Sequence, residues 1–365
     1  MTDQRSKVEQ YRDSQGSRQR LFQFYREVYP DSPWLLDDDR FLWENLSPPL
    51  NGPDDSSIWL LKEGDNLLGH NSYLRYPLSI AGKIQKGACS TNLIVRPELV
   101  GKGLGHQLIE HNETLGGIPY AIGMTPASNS AFQKCGWRLV SGPRLYSRFL
   151  RPGPNLRYVG ASRSKRVVLT PGLELANLVS SVWREACRVK KLAGVSCQEI
   201  SLFDQAHDSI WRGLLSDFAI HADRTAELLN FKYCVRSDVT HVKLLFERDG
   251  SPVGYGVYRL SDHPLQRLRL GRIVDFVYDP KLGRKLISFM IGIMITRLRA
   301  FGVDGLVAIA STSEIARALI DNGLFLSRAQ PVMIKETDFS VDELTKDHRH
   351  LWHITLGDAD FDNYW

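Results

Sequence analysis

The first half of the chain alternates short apolar runs with turn residues, a pattern that predicts β-strands separated by helices. Residues 58–62 and 67–76 are two such runs joined by a tight turn, which predicts a hairpin. A third strand, at 92–95, leads through a glycine-rich loop into an amphipathic helix, and a fourth strand follows at 118–124. The predicted order is therefore hairpin, strand, helix and strand.

The second half repeats this order. We predict strands at 242–247, 252–260, 272–277 and 305–310, and helices at 285–301 and 314–321. Between the halves we predict one strand at 144–150 and two helices at 173–192 and 210–218. A duplicated plan suits 365 residues, about twice the size of a usual domain. The predicted divisions are a flexible segment at 1–20, a first domain at 21–150, a connector at 151–171 and a second domain at 172–365.

The glycine-rich loop predicts an anion-binding site. Gly101, Gly103 and Gly105 flank Lys102 immediately before the helix. A helix start leaves backbone N–H groups without intrahelical partners, and glycines allow phosphate oxygens to approach them closely. Two nucleotide motifs are excluded by spacing. A P-loop needs Ser or Thr after its lysine, and the dinucleotide fingerprint needs its third glycine three places after the second.

The remaining pattern resembles the coenzyme A loop of the GNAT acyltransferases. Val95-x-Pro97-Glu98 precedes the loop, and a later block runs from Asn129 through Phe132 to Gly136-Trp137, as it does in that family. The resemblance implies two α/β domains, each a mixed, mostly antiparallel sheet flanked by helices, with acetyl-CoA or another short acyl-CoA as co-substrate and no metal. The implied coenzyme-binding residues are Leu93, Ile94, Val95, Gly101, Lys102, Gly103, Leu104, Gly105, His106, Asn129 and Phe132. A structural interpretation of the same residues is a tight turn followed by a helix with an Asn cap.

Two positions depart from the family pattern. Val100 stands where the family usually has Arg or Gln, so one side-chain contact to phosphate is missing. Phe132 stands where the family often has a Tyr that protonates the leaving thiolate. The thiolate must therefore take its proton from another group or leave unassisted.

Three residues are candidates for the chemistry of acyl transfer to an amine. His70 titrates near neutrality and is a candidate base, although a lone strand histidine is more often structural. Asn92 can orient an acceptor but cannot take its proton. Asp275, a carboxylate in an apolar strand, needs a cationic partner, which is either a substrate ammonium or an internal Arg. The resemblance assigns the oxyanion contacts to the backbone of residues 92–95.

The second half lacks the loop, because residues 279–284 contain one glycine where the first half has three. This resembles tandem GNAT proteins in which one half binds coenzyme and the other forms acceptor pocket and scaffold. Residues 224–233 are similar to a segment that opens the second domain of bacterial tandem GNATs, many of which serve surface-polysaccharide or amino-sugar pathways. A structural interpretation of that segment is an amphipathic helix leading into a strand.

Composition and charge limit the classes of partner that the protein is expected to bind. A net charge of +5 suits an anionic ligand, but no module for nucleic acid is present. The five cysteines lack metal or redox spacing, the N-terminus lacks a signal core, and the longest apolar run, 286–295, is too short to span a bilayer. We therefore expect a cytoplasmic protein without membrane contact, a monomer or homodimer. Strand geometry places His348 and His350 opposite His353, which argues against a metal, and we expect the acidic tail at 358–362 to be solvated.

Together these features predict an acyl-CoA-dependent N-acyltransferase whose acceptor is a primary amine, and the resemblance favours a nucleotide-linked amino sugar. Two alternatives stay open. A non-catalytic acyl-CoA sensor or scaffold would account for Val100 and Phe132. A peptidoglycan-type aminoacyl transferase shares the doubled fold but would not need the glycine loop.

Overall fold

Two β-sheets organise the protein, and most neighbouring strands run antiparallel. The computed structural model describes residues 6–30, 32–46, 56–140, 142–158, 160–186, 192–214, 217–236, 238–263 and 268–358. The strands are β1 (Lys7–Gln10), β2 (Ile58–Glu63), β3 (Asn66–Leu74), β4 (Pro77–Ile80), β5 (Lys83–Val95), β6 (Ile118–Ile122), β7 (Arg138–Val140), β8 (Arg144–Phe149), β9 (Val195–Ile200), β10 (Phe218–Ala222), β11 (His241–Arg248), β12 (Ser251–His263), β13 (Leu268–Tyr278), β14 (Gly305–Ala310), β15 (Phe325–Ala329), β16 (Val332–Ile334) and β17 (His350–His353).

The helices flank these sheets. They are α1 (Gln15–Val28), α2 (Asp38–Asn45), α3 (Leu104–Glu113), α4 (Pro126–Lys134), α5 (Pro152–Tyr158), α6 (Arg163–Ala186), α7 (Gln205–Leu214), α8 (Ala226–Tyr233), α9 (Gly283–Ala300), α10 (Ser313–Asp321) and α11 (Val341–Asp347), with 3₁₀ helices at Pro33–Leu36, Pro97–Leu99 and Leu356–Asp358. The predicted α/β class, with two mixed and mostly antiparallel sheets, is confirmed.

The first sheet runs in the order β1-β2-β3-β5-β4-β10-β17, with β6 beside β5 and β16 between β6 and β7. The second sheet runs β15-β8-β14-β13-β12-β11-β9. Parallel pairs form where a helix connects two strands, between β5 and β6 through α3 and between β13 and β14 through α9. A third parallel pair joins β10 to β17. The two sheets thus repeat one plan around their parallel pairs.

The two halves exchange strands. β8 follows the first half in sequence but pairs with β14 and β15 of the second sheet. In return, β16 from the second half pairs with β6 and β7 in the first sheet. Because each sheet contains strands from both halves, a site at their junction is built from residues far apart in the sequence.

Several predicted elements differ from those observed. Residues 210–218 were expected to form one helix, but α7 ends at Leu214 and Phe218 begins β10, whose five residues are all buried between β4 and β17. The connector predicted at 151–171 contains α5 and the start of α6. Within the predicted flexible segment, β1 pairs with β2, and residues 1–5 lie outside the described residues. The domain boundaries remain predictions.

The apolar run at 286–295 lies in α9, which packs its buried face onto β12 and β13. Its buried residues are Leu286, Ile287, Ser288, Met290, Ile291, Met294, Ile295 and Leu298. α9 is therefore a core helix, as predicted. Within the described ranges every helix is too short or too polar to cross a bilayer.

Three buried histidines make stability depend on pH. Burial lowers the pKa of His70 to about 3, of His221 to about 3 and of His353 to about 4, and the nearby Arg224 charge adds to the last two shifts. The unfolded chain binds these protons near the ordinary pKa of about 6.5, so the contribution to stability is lost as pH falls below that value. We expect the free energy of unfolding to decrease by up to about 2 kcal/mol per histidine between pH 7 and pH 5.

Denaturant unfolding between pH 5 and pH 7 measures this effect. His70→Leu should flatten the slope, since His70 contacts the rings of Phe24 and Tyr25 and a leucine there carries no titrating group. A slope unchanged by this substitution would contradict the assignment.

Candidate functional site

The glycine loop presents unpaired backbone N–H groups. Gly101 and Gly103 have φ of +88° and +81°, in the left-handed region that favours glycine, and Gly103 is the N-cap of α3. Among the described residues, no acceptor is within hydrogen-bond reach of the N–H groups of Gly103, Leu104 and Gly105. A Cβ on Gly101 or Gly103 would meet nothing within 4 Å, so the space in front of the loop is open. The geometry is that of an anion site at a helix N-terminus.

Charge near the loop comes from Lys102, which is exposed. Arg96, in contrast, donates to the Leu67 carbonyl at 2.8 Å and pairs with Glu27 at 3.0 Å. Val100 is 66% exposed, so nothing replaces the guanidinium or amide expected at its position. A bound phosphate would therefore depend on the backbone and on Lys102.

The equivalent loop of the second half carries an acidic residue and makes more internal hydrogen bonds. The Asp279 carboxylate accepts from the Lys281 N–H at 2.9 Å, and the N–H groups of Leu282 and Gly283 bond to carbonyls in the same turn. Arg284 pairs with Asp321 at 2.6 Å. An acidic side chain beside a helix N-terminus competes with a phosphate for that position. The absence of a phosphate site in the second half stays a prediction.

The strand before the glycine loop separates from its neighbour. The β5–β6 ladder extends only from Gly87 to Cys89, so the later residues of β5 leave one backbone edge open. On the other side, Thr91 pairs with Ser72 and Ile94 pairs with His70, so two β5 residues oppose one on β3. This is a β-bulge.

The bulge is centred on Asn92, whose φ of +51° lies in the left-handed region. Asn tolerates that conformation better than other residues with a Cβ, because its short polar side chain can bond locally. The Asn92 amide donates to Glu44 at 3.5 Å. The bulge therefore has a specific local cause, the left-handed backbone at Asn92.

A cavity of about 770 Å³ lies against this open edge. Its first wall contains residues 90–94 of β5, residues 122–125 after β6, and Ser128 and Phe132 of α4. Its second wall comes from β8, β13, β14 and β15 of the other sheet. The volume suits a drug-sized ligand. The strand exchange therefore places residues from both halves around one cavity.

The predicted coenzyme residues divide into two groups. Leu93, Ile94 and Phe132 line the cavity. Residues 101–106 do not line it, and they follow the C-terminal end of β5. The two groups are joined by Val95, whose Cγ2 is 3.9 Å from the position of a Cβ on Gly105. A ligand that uses both regions must be long, with its anionic part at the loop and its other end in the cavity.

α4 closes the cavity near β6. Thr125 caps it by accepting from the Ser128 N–H at 3.2 Å, and both residues line the cavity. Phe132 packs against Trp137 with ring centroids 4.6 Å apart. The Asn129 Oδ1 atom is buried without a hydrogen-bond partner among the described residues, so the predicted contact with a ligand is still available to it.

The structure argues against His70 as a base. It is fully buried, does not line the cavity, and contacts Phe24 and Tyr25. Burial lowers its pKa to about 3, so it is a poor proton acceptor at neutral pH. His70 is therefore not a suitable base, because it cannot reach the cavity and accepts a proton poorly.

Asp275 is also buried away from the cavity, and its partner is internal. Its carboxylate accepts from Arg224 at 3.1 Å, from Tyr233 at 3.1 Å and from Thr355 at 3.0 Å. Arg224 also pairs with Asp358, so the start of the predicted solvated tail is buried while residues 359–362 lie outside the described residues. Asp275 therefore has a structural role, which was the alternative interpretation of its position in the sequence.

Burial alone would raise the pKa of Asp358, but the positive charges around it hold that pKa below its ordinary value. The first of these charges is Arg224, whose own pKa is raised by the two carboxylates. The cluster is thus an ion-pair network in the core.

Sequence reasoning missed three arginines on the cavity wall. Arg148 on β8, Arg272 on β13 and Arg328 on β15 all line the cavity. Arg148 and Arg272 are 2% and 6% exposed. Each is a charged residue in a strand that also carries apolar residues, which is the kind of signal that singled out Asp275. No such signal predicts that the three come together.

Comparisons with solved structures agree with this architecture. No protein-family model matches the sequence, and no curated protein matches it either. A GCN5-related N-acetyltransferase from Anabaena variabilis ATCC 29413 is 13% identical with a TM-score of 0.56, over 91% of this chain and 72% of that one. The chain has the GNAT fold.

Two further structures carry the same likeness. Saccharomyces cerevisiae N-myristoyltransferase with bound myristoyl-CoA is 15% identical with a TM-score of 0.59, over 92% of this chain and 83% of that one. A probable N-acyltransferase from Enterococcus faecalis V583 is 11% identical with a TM-score of 0.58, over 91% and 72%. The likeness in fold thus extends over nearly the whole chain.

Proposed function

We propose that this protein transfers an acyl group from acyl-CoA to a primary amine. The observation that carries the proposal is the sequence of three features along β5: the cavity beside residues 90–94, the unpaired edge that begins after Cys89, and the open N–H groups at the start of α3. Acyl-CoA has a matching form, with a diphosphate, a long amide-containing arm and a thioester at its end. The neighbours of the same fold include an N-myristoyltransferase with bound myristoyl-CoA, which agrees with this choice.

The residues present fit such a ligand. The diphosphate would lie on the N–H groups of Gly103, Leu104 and Gly105, with Lys102 beside it. The amide-containing arm would pair with the open edge of β5, as a peptide adds to a sheet edge. The thioester would then reach the cavity at the bulge, where backbone N–H groups can stabilise the oxyanion.

The reaction forms a C–N bond and breaks the C–S bond. The neutral amine attacks the thioester carbonyl, and the nitrogen of the tetrahedral intermediate loses a proton to water. The intermediate then collapses, and the thiolate leaves and takes up a proton. Among the described lining residues Tyr29 carries the only phenol, a group that is protonated at neutral pH. We assign it as the proton donor in place of Phe132. The described lining residues include no carboxylate or imidazole, so the amine must arrive neutral or lose its proton to water.

The acceptor class stays a proposal. A nucleotide-linked amino sugar would supply a primary amine and a negatively charged diphosphate, which suits the net charge of +5. A cytoplasmic location would agree with that substrate.

A screen tests the function. The purified chain is incubated with acetyl-CoA or propionyl-CoA and a panel of amino sugars, their phosphates, nucleotide amino sugars and amino acids. We expect free thiol to appear together with an acceptor whose mass rises by one acyl group. Tight acetyl-CoA binding without thiol release from any amine would instead establish the sensor function. Absence of acyl-CoA binding would overturn both.

Two substitutions of Asn92 distinguish what its backbone conformation contributes to kcat/KM from what its side chain contributes. Asn92→Gly keeps the left-handed conformation and should retain kcat/KM within about threefold. Asn92→Val places a β-branched residue where φ is +51°, so the bulge should flatten and kcat/KM should fall at least about tenfold. Thiol-release kinetics with the two variants measure this. Equal losses in both would show that the Asn92 amide itself is needed.

A further inference from the structure

Helix α6 exposes an apolar face to solvent, which we call the α6 stripe. It consists of Val167, Val168, Leu175 and Leu178, which are 69%, 75%, 61% and 62% exposed. At about 100° per residue these four side chains fall within about 100° of arc around the helix. A surface helix of a globular protein normally turns such a face toward the core, so this orientation is inverted. Adjacent exposed apolar side chains of this kind mark a surface that binds a partner.

Contacts with β8 explain the orientation of α6. Asn177 is half-buried, and its amide donates to the Phe149 carbonyl at 2.6 Å. The Asn177 Oδ1 atom accepts from Arg148 Nε at 3.4 Å. Asn177 is two residues after Leu175, which places the two side chains about 160° apart around the helix. The α6 stripe points away from the protein because a polar side of the helix packs against β8.

Basic residues lie beside the α6 stripe. Residues 152–173 contain four basic residues and no acidic one. Arg163 lies about 40° around the helix from Val167, and Lys165 lies about 60° from Val168, on opposite sides of the stripe. Both basic side chains are exposed, and within the described part of the chain neither has a carboxylate partner. The first turn of α6 has no acidic residue, so the positive end of the helix dipole adds to this charge.

From this combination we infer that α6 binds the surface of an anionic lipid membrane, with the α6 stripe against the lipid tails and Arg163 and Lys165 at the phosphate groups. An apolar face with basic residues beside it is typical of helices that lie in a membrane interface. An anionic bilayer supplies both the apolar interior and the negative charge that these residues fit. A second copy docked through the same face would bring further positive charge instead.

This inference goes beyond the proposed function and does not depend on it. It departs from the expectation, drawn from the sequence, that the protein makes no membrane contact. The longest apolar run, on which that expectation depended, is buried in α9, whereas α6 interrupts its apolar residues with polar ones. α6 lies on the bilayer in this account and does not span it.

Vesicle sedimentation tests the inference. The purified chain is mixed with vesicles of phosphatidylcholine alone, or of equal parts phosphatidylcholine and phosphatidylglycerol, and the bound fraction is measured after centrifugation. We expect an apparent Kd at least about tenfold lower for the anionic vesicles, and a smaller difference as the salt concentration rises. Absence of binding to the anionic vesicles, or equal binding to both kinds, would overturn the inference.

Neutral substitutions test the α6 stripe. Leu175→Gln combined with Leu178→Gln removes apolar surface without adding charge, and glutamine is a good helix former. The apparent Kd for anionic vesicles should rise at least about tenfold. Ile84→Gln is the matched control, because Ile84 is 70% exposed on β5, outside α6, and it should leave binding unchanged. If the double variant binds vesicles as the unmodified chain does, the stripe is not the contact surface and the inference fails.

A second pair of substitutions tests the charge. Arg163→Gln combined with Lys165→Gln should reduce the preference for anionic vesicles at least about fivefold. Arg317→Gln, on the exposed side of α10, removes a positive charge elsewhere and should have little effect. A preference that survives the double variant, or that the α10 variant lowers equally, would contradict the inference.

Sedimentation equilibrium without lipid distinguishes a membrane from a second copy. We expect the oligomeric state to be the same with and without the substitutions at Leu175 and Leu178. A dimer that dissociates in that double variant would show that a second copy covers the α6 stripe, and would overturn the inference. Circular dichroism checks that each variant is folded. Thiol release in solution should be unchanged in all of them, so the inference can fail while acyl transfer stands.

Discussion

Gly103→Glu should weaken acetyl-CoA binding by at least about 100-fold, or about 2.7 kcal/mol. The substitution places a carboxylate at the N-terminus of α3, where a diphosphate would otherwise lie on open N–H groups. It also forces a residue with a Cβ into a φ of +81°. Calorimetric titration with acetyl-CoA gives the affinity, and thiol release with the identified acceptor gives the turnover.

Gly116→Glu is the matched control. Gly116 lies beyond the other end of α3, has φ of +72°, and has open space where a Cβ would be. Both substitutions add the same charge and a similar backbone strain of about 1–2 kcal/mol. Only the Gly103 variant should lose acetyl-CoA binding. If the two variants behave alike, the effect is one of stability and the loop is not the diphosphate site.

The largest loss of stability should follow Arg224→Met. Arg224 is 1% exposed and pairs with Asp275 and Asp358, so its removal leaves two buried carboxylates without a cation. Breaking a buried pair in this way costs about 3–5 kcal/mol, or about 4–7 °C in Tm for a chain of this size. Thermal unfolding followed by circular dichroism measures the change.

A triple variant identifies the cause. Arg224→Met combined with Asp275→Asn and Asp358→Asn removes the uncompensated charge together with the guanidinium. It should be more stable than Arg224→Met alone, because neutral amides cost less to bury than carboxylates. A triple variant less stable than the single one would show that hydrogen bonding, and not charge, dominates the network.

Elements with a strong local pattern could be predicted from sequence. The strand at 305–310 was predicted with its observed bounds, and α9 and α10 were predicted to within two residues, because their apolar spacing is regular. The glycine loop was found because glycines before an amphipathic helix have a direct backbone consequence. These features depend on neighbours in the sequence.

Features that depend on distant residues could not be predicted. β16 is three residues long and pairs with β6, about 210 positions earlier, so nothing local predicts the strand exchange. Arg224, Asp275 and Asp358 come from three separate elements, and their grouping appears only in the folded chain. That three arginines line one cavity could not be predicted from the sequence, for the same reason. His70 was misjudged because a strand residue's burial depends on which helix covers it.

A crystal structure with bound acetyl-CoA tests the account most directly. We predict diphosphate oxygens at about 2.9 Å from the backbone nitrogens of Gly103, Leu104 and Gly105, and the thioester beside the bulge at Asn92. A diphosphate bound at residues 279–284 would contradict the account. A diphosphate bound beside the arginines that line the cavity, with the glycine loop empty, would also contradict it.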